Sequence, residues 1–143
     1  MSSGNRRLAR VLGAALVLVL AGAFGLKQLG PRTARVPSTL AGVALGSTPH
    51  DPGGGSDRRR VLDQAATCAV TVGSDARVAR IACDVDAHDA RDRVLGTLRE
   101  LYGKESWAQG GTHRWQNGEA RLVLVSAPGS LRVSLESLSA SSR

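Results

Sequence analysis

The two cysteines restrict the fold of this chain more than any other feature. Cys68 and Cys83 are its only cysteines, and the turn signal Gly73-Ser74-Asp75 lies midway between them. Pairing the flanking β-rich segments as a hairpin predicts three cross-strand pairs on one face: Cys68 with Cys83, Val70 with Ile81, and Val72 with Ala79. Directly opposed residues of antiparallel strands have Cα atoms close enough for a disulfide. The spacing therefore predicts a hairpin closed by a Cys68–Cys83 disulfide.

Two reduced buried thiols and a metal-binding pair are the alternatives to this disulfide. A redox-active pair would need the Cys-x-x-Cys spacing, which the chain lacks. Closing a loop of about 15 residues contributes roughly 3 kcal/mol in the chain-entropy model. A structural disulfide also requires an oxidising compartment, so the location of the chain becomes part of the argument for its fold.

Residues 8–26 are predicted to span a membrane. Arg6, Arg7 and Arg10 precede the uncharged run VLGAALVLVLAGAFGL, and the first ten residues contain no acid. A spanning helix needs about 20 apolar residues, and 8–26 suffices if Arg10 extends toward the headgroups. The flanking arginines place residues 1–7 in the cytoplasm and the C-terminal part outside. Because Arg outnumbers Lys 17 to 2 and Ala is plentiful, as in GC-rich bacteria, we expect a single-pass protein of a bacterial inner membrane with a periplasmic domain.

Export could also proceed by cleavage. Residues 11–20 would then be the apolar region of a signal peptide, and Ala21-Gly22-Ala23 the small-residue site. The apolar run continues through Phe24 and Leu26, which favours an uncleaved anchor. A buried helix of a soluble domain is a third interpretation, but the segment is apolar on every face and the small domain downstream could not cover it.

The positive charge lies outside the predicted domain. Residues 1–60 contain nine Lys or Arg and two Asp, whereas residues 61–143 contain ten basic and ten acidic residues. A nucleic-acid-binding domain would carry its basic patch on the fold itself. We therefore expect no nucleic-acid partner.

Residues 27–55 are predicted to be a flexible basic linker, because prolines and the glycines at 53–55 interrupt every hydrophobic pattern. Within it, LAGVALGSTPHD resembles the Gly-apolar-x-Leu-Gly-x-Thr opening of small periplasmic α+β domains, of the β-lactamase-inhibitor-like and outer-membrane-assembly lipoprotein type. In that pattern the threonine, here Thr48, caps a helix that begins at once. This chain departs from the pattern, since Pro49, His50, Asp51, Pro52 and three glycines follow. The resemblance implies an α+β extracytoplasmic domain.

The domain itself, residues 56–143, is predicted to begin with a helix. Ser56 can cap a helix over 57–66, with Val61, Leu62 and Ala65 on one face. Arg58–Arg60 would begin that helix in solvent, or else approach an anionic membrane surface.

A second helix is predicted within residues 84–105. Asp86 or Asp89 can cap it, Gly103 can end it, and an apolar stripe comprises Val94, Leu95, Leu98, Leu101 and Tyr102. The alternative is a cation site made of Asp84, Asp86, His88, Asp89 and Asp92. A calcium loop would also need a turn glycine and a bidentate Glu, which are missing. Capping is favoured, and we expect no metal and no other cofactor.

The last third is predicted to be a three-stranded meander. Asn117-Gly118 is a hairpin signal that sets Trp115 opposite Ala120 and His113 opposite Leu122. The turn at 126–130 sets Leu124 opposite Val133 and Leu122 opposite Leu135, all on one face. The predicted fold class is thus α+β, with a transmembrane helix followed by a small antiparallel domain of order α-ββ-α-βββ.

The sequence contains no catalytic pattern. No Gly-x-Ser-x-Gly or phosphate-binding loop occurs, and His113 fits a packed strand residue better than a catalytic base. We therefore expect a non-catalytic interaction module that binds a protein of the cell envelope, or a secreted inhibitor or ligand-binding protein if the signal is cleaved. The predicted contact surface combines arginines with apolar side chains: Arg114, Arg121, Val123, Val125 and Arg132.

Overall fold

The structure is a computed structural model that describes residues 35–50 and 55–139. This part of the chain is a small α+β domain in which one short helix lies on an antiparallel sheet. Its elements are, in order, β1 (Thr39–Leu40), β2 (Val43–Ala44), β3 (Ser56–Val61), β4 (Gln64–Val72), β5 (Val78–Val85), a 3₁₀ turn (His88–Ala90), α1 (Arg91–Tyr102), β6 (Trp107–Gln109), β7 (Thr112–Gln116), β8 (Ala120–Ala127) and β9 (Ser130–Ser137). The main sheet has the strand order β3-β4-β5-β9-β8-β7-β6.

The disulfide prediction agrees with the structure. Cys68 lies opposite Cys83 in the β4–β5 pair, with a Cα–Cα distance of 4.0 Å, and the two are joined by a disulfide. Val70 lies opposite Ile81 as expected. Val72 pairs with Val78 instead of Ala79, because a register shift follows Thr71. Both cysteine side chains are buried in the core.

The helix predicted over 57–66 is wrong. Ser56–Val61 is a strand, and it pairs antiparallel with β4 through a two-residue turn. Leu62 and Asp63 form that turn with φ values of 48° and 64°, which matches the twist of a hairpin. Val61 and Ala66 are buried together, so the apolar spacing that indicated a helix comes from two strands and the turn between them.

Part of the predicted linker is folded. β1 and β2 form a short ladder, and Leu40 is buried in the core. Gly46 N–H donates to Val78 O (2.8 Å), and Val78 N–H donates to Ser47 O (2.9 Å). The domain therefore begins before Ser56, because these residues bury apolar surface and hydrogen-bond to the first residue of β5.

The second predicted helix is present, but its cap differs. α1 follows the 3₁₀ turn, Ala90 occupies its N-cap, and no side chain caps it. Gly103 ends it with φ 82°, and Gly103 N–H donates to Arg99 O. Val94, Leu95 and Leu98 are buried, whereas Leu101 is 52% exposed. The buried face is therefore narrower than the predicted stripe.

The meander is present, with one register corrected. Leu124 lies opposite Val133 and Leu122 opposite Leu135, as predicted. Trp115 pairs with Leu122 and not with Ala120. The turn is longer than two residues, because Asn117 Oδ1 accepts hydrogen bonds from the N–H groups of Glu119 and Ala120 (both 2.8 Å). A shift of two residues keeps each side chain on its predicted face.

The core lies between α1 and one face of the sheet. Its largest fully buried side chains include Trp115, Ile81, Leu98, Leu122 and Leu135. The predicted spanning segment, residues 8–26, lies outside the described residues. Among those that are described, the helices are too short and too polar to cross a bilayer.

Candidate functional site

The side of the sheet opposite α1 carries no helix or strand of the described residues; we call it the open face. Side chains alternate along each strand, so the residues between the buried ones point to this side. Cross-strand pairing arranges them in three rows. The first charged row is Val125, Arg132, Asp84, Thr67 and Arg58; the small-residue row is Val123, Ser134, Ala82 and Ala69; the second charged row is Arg121, Glu136 and Arg80.

Ion pairs connect the strands along the first charged row. Arg132 Nε and Nη2 donate to the two carboxylate oxygens of Asp84 at 2.7 and 3.0 Å. This hydrogen bonding raises the pKa of Arg132. At the end of the row, Arg58 makes the same forked contact with Asp86, at 3.2 and 2.7 Å. These pairs are about half exposed, so they add little to stability and leave their charged groups accessible to solvent.

The second charged row contains an unpaired arginine. Arg121 Nη1 donates to Glu136 Oε1 at 3.0 Å, and Arg121 Nε donates to Gln116 Oε1 at 3.1 Å. Arg80 lies on the other side of Glu136 in the ladder. Within the described part of the chain, Arg80 has no ion pair or hydrogen bond through its guanidinium.

The two charged rows enclose a shallow depression. Its volume is about 360 Å³, and its floor includes Val123 and Ser134. Ser134 is only 8% exposed although it points to the open face, because longer side chains stand on both sides of it. A second sheet could approach closely along this row.

An aromatic residue closes one edge of the open face. The guanidinium carbon of Arg114 lies 4.8 Å from the centre of the Trp107 ring, and Trp107 is 40% exposed. Arg114 Nε is buried and has no hydrogen-bond partner among the described residues. Such a stack holds a guanidinium in a fixed place beside an exposed apolar surface.

The structure brings the five residues predicted as a contact surface together. All of them lie on the open face, and Val125 is 37% exposed. Sequence reasoning missed Arg80, Asp84, Ser134 and Glu136 as members of this surface. The alternation of side chains between the two faces of β5 and of β9 can be read from the sequence. The two strands are neighbours only in the folded sheet, however, and no local sequence signal predicts that pairing.

A buried carboxylate fixes the loop that leads into β6. The side chain of Glu105 is 5% exposed; its carboxylate accepts a forked hydrogen bond from Arg99, with Nε at 2.9 Å, and lies 3.0 Å from His113 Nδ1. The hydrogen bonds from Arg99 lower the pKa of Glu105 to about 2. Trp115 Nε1–H donates to Gly103 O (2.8 Å) in the same loop. His113 is thus a packed residue at a loop anchor.

The acidic residues considered as a cation site are dispersed. Asp84 pairs with Arg132, Asp86 with Arg58, and Asp92 with Arg91. In residues 35–50 and 55–139, no three His, Cys, Asp or Glu side chains are grouped as metal ligands.

No family model, curated protein or solved structure matches this chain. The resemblance to small periplasmic α+β domains stays a prediction.

Proposed function

We propose that this chain is an extracytoplasmic protein-binding module of a bacterial inner membrane, without catalytic activity. Residues 1–7 would be cytoplasmic, and residues 8–26 would anchor the domain. The observation that carries the proposal is the open face, where Val123, Val125 and the Trp107–Arg114 stack stand beside fixed arginines. This mixture of aromatic, apolar and Arg side chains is typical of protein interfaces.

The open face supports binding better than chemistry. Its ionisable groups are arginines and carboxylates, of which Arg121 with Glu136 and Arg132 with Asp84 are joined in ion pairs. A general acid or base would need a pKa close to neutral. The cluster of Arg99, Glu105 and His113 is engaged in fixing a loop.

Site-specific photocross-linking in cells tests the proposed surface. A photoreactive amino acid replaces Val125 on the open face of the full chain, and the matched control replaces Glu100 on the outer surface of α1. We expect protein adducts from position 125 and about tenfold fewer from position 100. Arg121→Glu with Arg132→Glu should remove the adducts, whereas Arg93→Glu, an exposed change on α1, should not.

Equal yields from the two positions, or adducts that survive the double charge reversal, would refute the surface. The anchor is tested separately, by the intact mass of the chain in carbonate-washed membranes. A soluble chain that begins at Phe24 would replace the anchor with the second candidate, a secreted inhibitor or ligand-binding protein; the Ala21-Gly22-Ala23 site is the observation that supports it.

A further inference from the structure

We infer that the occupant of the open face is a second copy of this chain, packed sheet against sheet. This inference rests on the proposed function of the face as a contact surface. It starts from four charges at the centre of the sheet, on the neighbouring strands β5 and β9. Arg132 lies opposite Asp84 in one row, and Glu136 lies opposite Arg80 four residues further along each strand. The four charges alternate in sign around a rectangle, about 5 Å across the strands and about 14 Å along them.

An alternating rectangle of charges is complementary to itself. A two-fold axis parallel to the strands, between β5 and β9, places β9 of each copy over β5 of the other. Arg132 of one copy then faces Asp84 of the second copy, and Glu136 faces Arg80 of the second copy. Each of the four contacts joins opposite charges. Together they give Arg80 the carboxylate partner that it lacks among the described residues of its own chain.

The remaining residues of the open face fit the same axis. β8 of one copy lies over β4 of the other, and β7 lies over β3. No like charges meet in the resulting contacts: Val123 over Ala69, Ser134 over Ala82, Arg121 over Thr71, Val125 over Thr67, and Arg114 over Ser56. Serine, alanine and valine in the small-residue row let two sheets approach to the usual spacing of about 10 Å.

The packing angle follows from the same axis. Aligned sheets cross at about −30°, and a two-fold axis parallel to the strands gives an aligned pair. The four central charges sum to zero, so a ligand of one sign gains little there. A copy of the same face matches it charge for charge.

The contact is expected to be weak in solution. Seven strands span about 30 Å, and five residues of each strand span about 15 Å. This footprint is smaller than the roughly 800 Å² per partner of a standard interface. Anchors in one membrane would raise the effective concentration of the domains, which strengthens such a contact without new interactions.

Charge exchange between two copies tests the dimer. Two differently tagged full-length chains are co-expressed, cross-linked while still in the intact membrane, extracted in detergent and purified through one tag. The acidic version carries Arg80→Glu and Arg132→Glu; the basic version carries Asp84→Arg and Glu136→Arg. We expect each version to lose co-purification with itself by about tenfold or more relative to the original chain. Co-expression of the acidic version with the basic version should restore co-purification.

Both versions keep residues 1–55, so any association through the predicted anchor remains as a constant background. Arg93→Glu with Glu100→Arg on α1 is the matched control and should change nothing. Far-ultraviolet circular dichroism and Cys68–Cys83 oxidation confirm folding of each version. Ala82→Arg, which blocks the centre without removing an ion pair, should lower co-purification to that background.

The dimer would be overturned if the acidic and basic versions together did not restore co-purification. It would also be overturned if Ala82→Arg left co-purification unchanged. The photocross-link at position 125 separates this result from the proposed function. An adduct of twice the mass of the chain supports the dimer. An adduct with another protein, together with no self-association, refutes the dimer and leaves the contact surface in place.

Discussion

At the scale of single residues, Glu105 links the helix to the edge of the open face. It accepts hydrogen bonds from Arg99 at the end of α1 and contacts His113 in β7. The next residue, Ser106, donates through its N–H (2.8 Å) and its hydroxyl (3.0 Å) to the carbonyl of Arg114. The carboxylate therefore fixes the segment that presents Trp107 beside Arg114.

Replacing Glu105 by Gln should lower the free energy of unfolding by about 1 to 3 kcal/mol at neutral pH, because a buried charged acceptor is lost. Its folded pKa of about 2 lies below the ordinary 4.5. The stability due to the charge is thus fully present above about pH 4.5 and is lost as the pH falls toward 2. Urea unfolding of the full chain in detergent, followed by tryptophan fluorescence, measures this difference at pH 7, 4 and 2.5.

Glu100→Gln is the control for this measurement, since Glu100 is exposed on the same helix. It should leave the free energy of unfolding within about 0.5 kcal/mol of the original value. A gap between the original chain and Glu105→Gln that stays constant from pH 7 to 2.5 would mean that the carboxylate charge is not what stabilises this loop.

At the scale of elements, the β6–β7 hairpin depends on a pair of glycines. Gly110 and Gly111 have φ values of 57° and 80°. A Cβ on Gly111 would lie 2.5 Å from the carbonyl oxygen of Ser126, whereas a Cβ on Gly110 would meet nothing within 4 Å. Ser126 N–H also donates to Gly111 O at 2.9 Å, so β8 holds this turn closely.

Gly111→Ala should therefore destabilise the domain by at least about 2 kcal/mol, since a backbone clash is added to the left-handed strain. Gly110→Ala is the matched control and should cost only about 1 kcal/mol, the strain alone. Urea unfolding of both variants measures the difference. Equal losses would mean that β8 moves away from the turn at little cost.

The elements also show which parts of the fold the sequence specifies. The β4–β5 register was predictable because two cysteines mark it, and β8–β9 because a four-residue turn and an alternating pattern agree. The β3–β4 hairpin was missed. Its turn uses Leu62 and Asp63 at positive φ, where glycine or asparagine would have signalled it, and the apolar residues around the turn mimic a helical period.

The open face was predictable only in part. The alternation in β7, β8 and β9 gave Arg114, Arg121 and Arg132 a common side. The contribution of β5 depends on its pairing with β9, which joins residues about 50 positions apart in sequence. Hydrophobic patterning shows which residues of a strand share a face but not which strand lies beside it. Two of the four central charges, Arg80 and Asp84, therefore could not be assigned to this surface from the sequence.

At the scale of the whole molecule, the Cys68–Cys83 disulfide connects the fold to the compartment. Residues 8–26 would carry the domain into an oxidising space, and the disulfide would form there. A chain without residues 8–26 should remain in the cytoplasm, where both thiols stay reduced. The disulfide joins cysteines 15 residues apart, and closing such a loop contributes roughly 3 kcal/mol. The reduced chain that remains in the cytoplasm should therefore have a free energy of unfolding lower by about that amount.

Maleimide–polyethylene glycol labelling of acid-quenched cells measures this prediction, since each free thiol adds one step in gel mobility. We expect no labelling of the full chain and two adducts on the chain without residues 8–26. Fusing a cleavable signal peptide to the shortened chain should restore oxidation, which separates the effect of export from that of the deleted residues. Two adducts on the full chain would instead place the domain in a reducing compartment. The predicted periplasmic location of the domain would then be wrong.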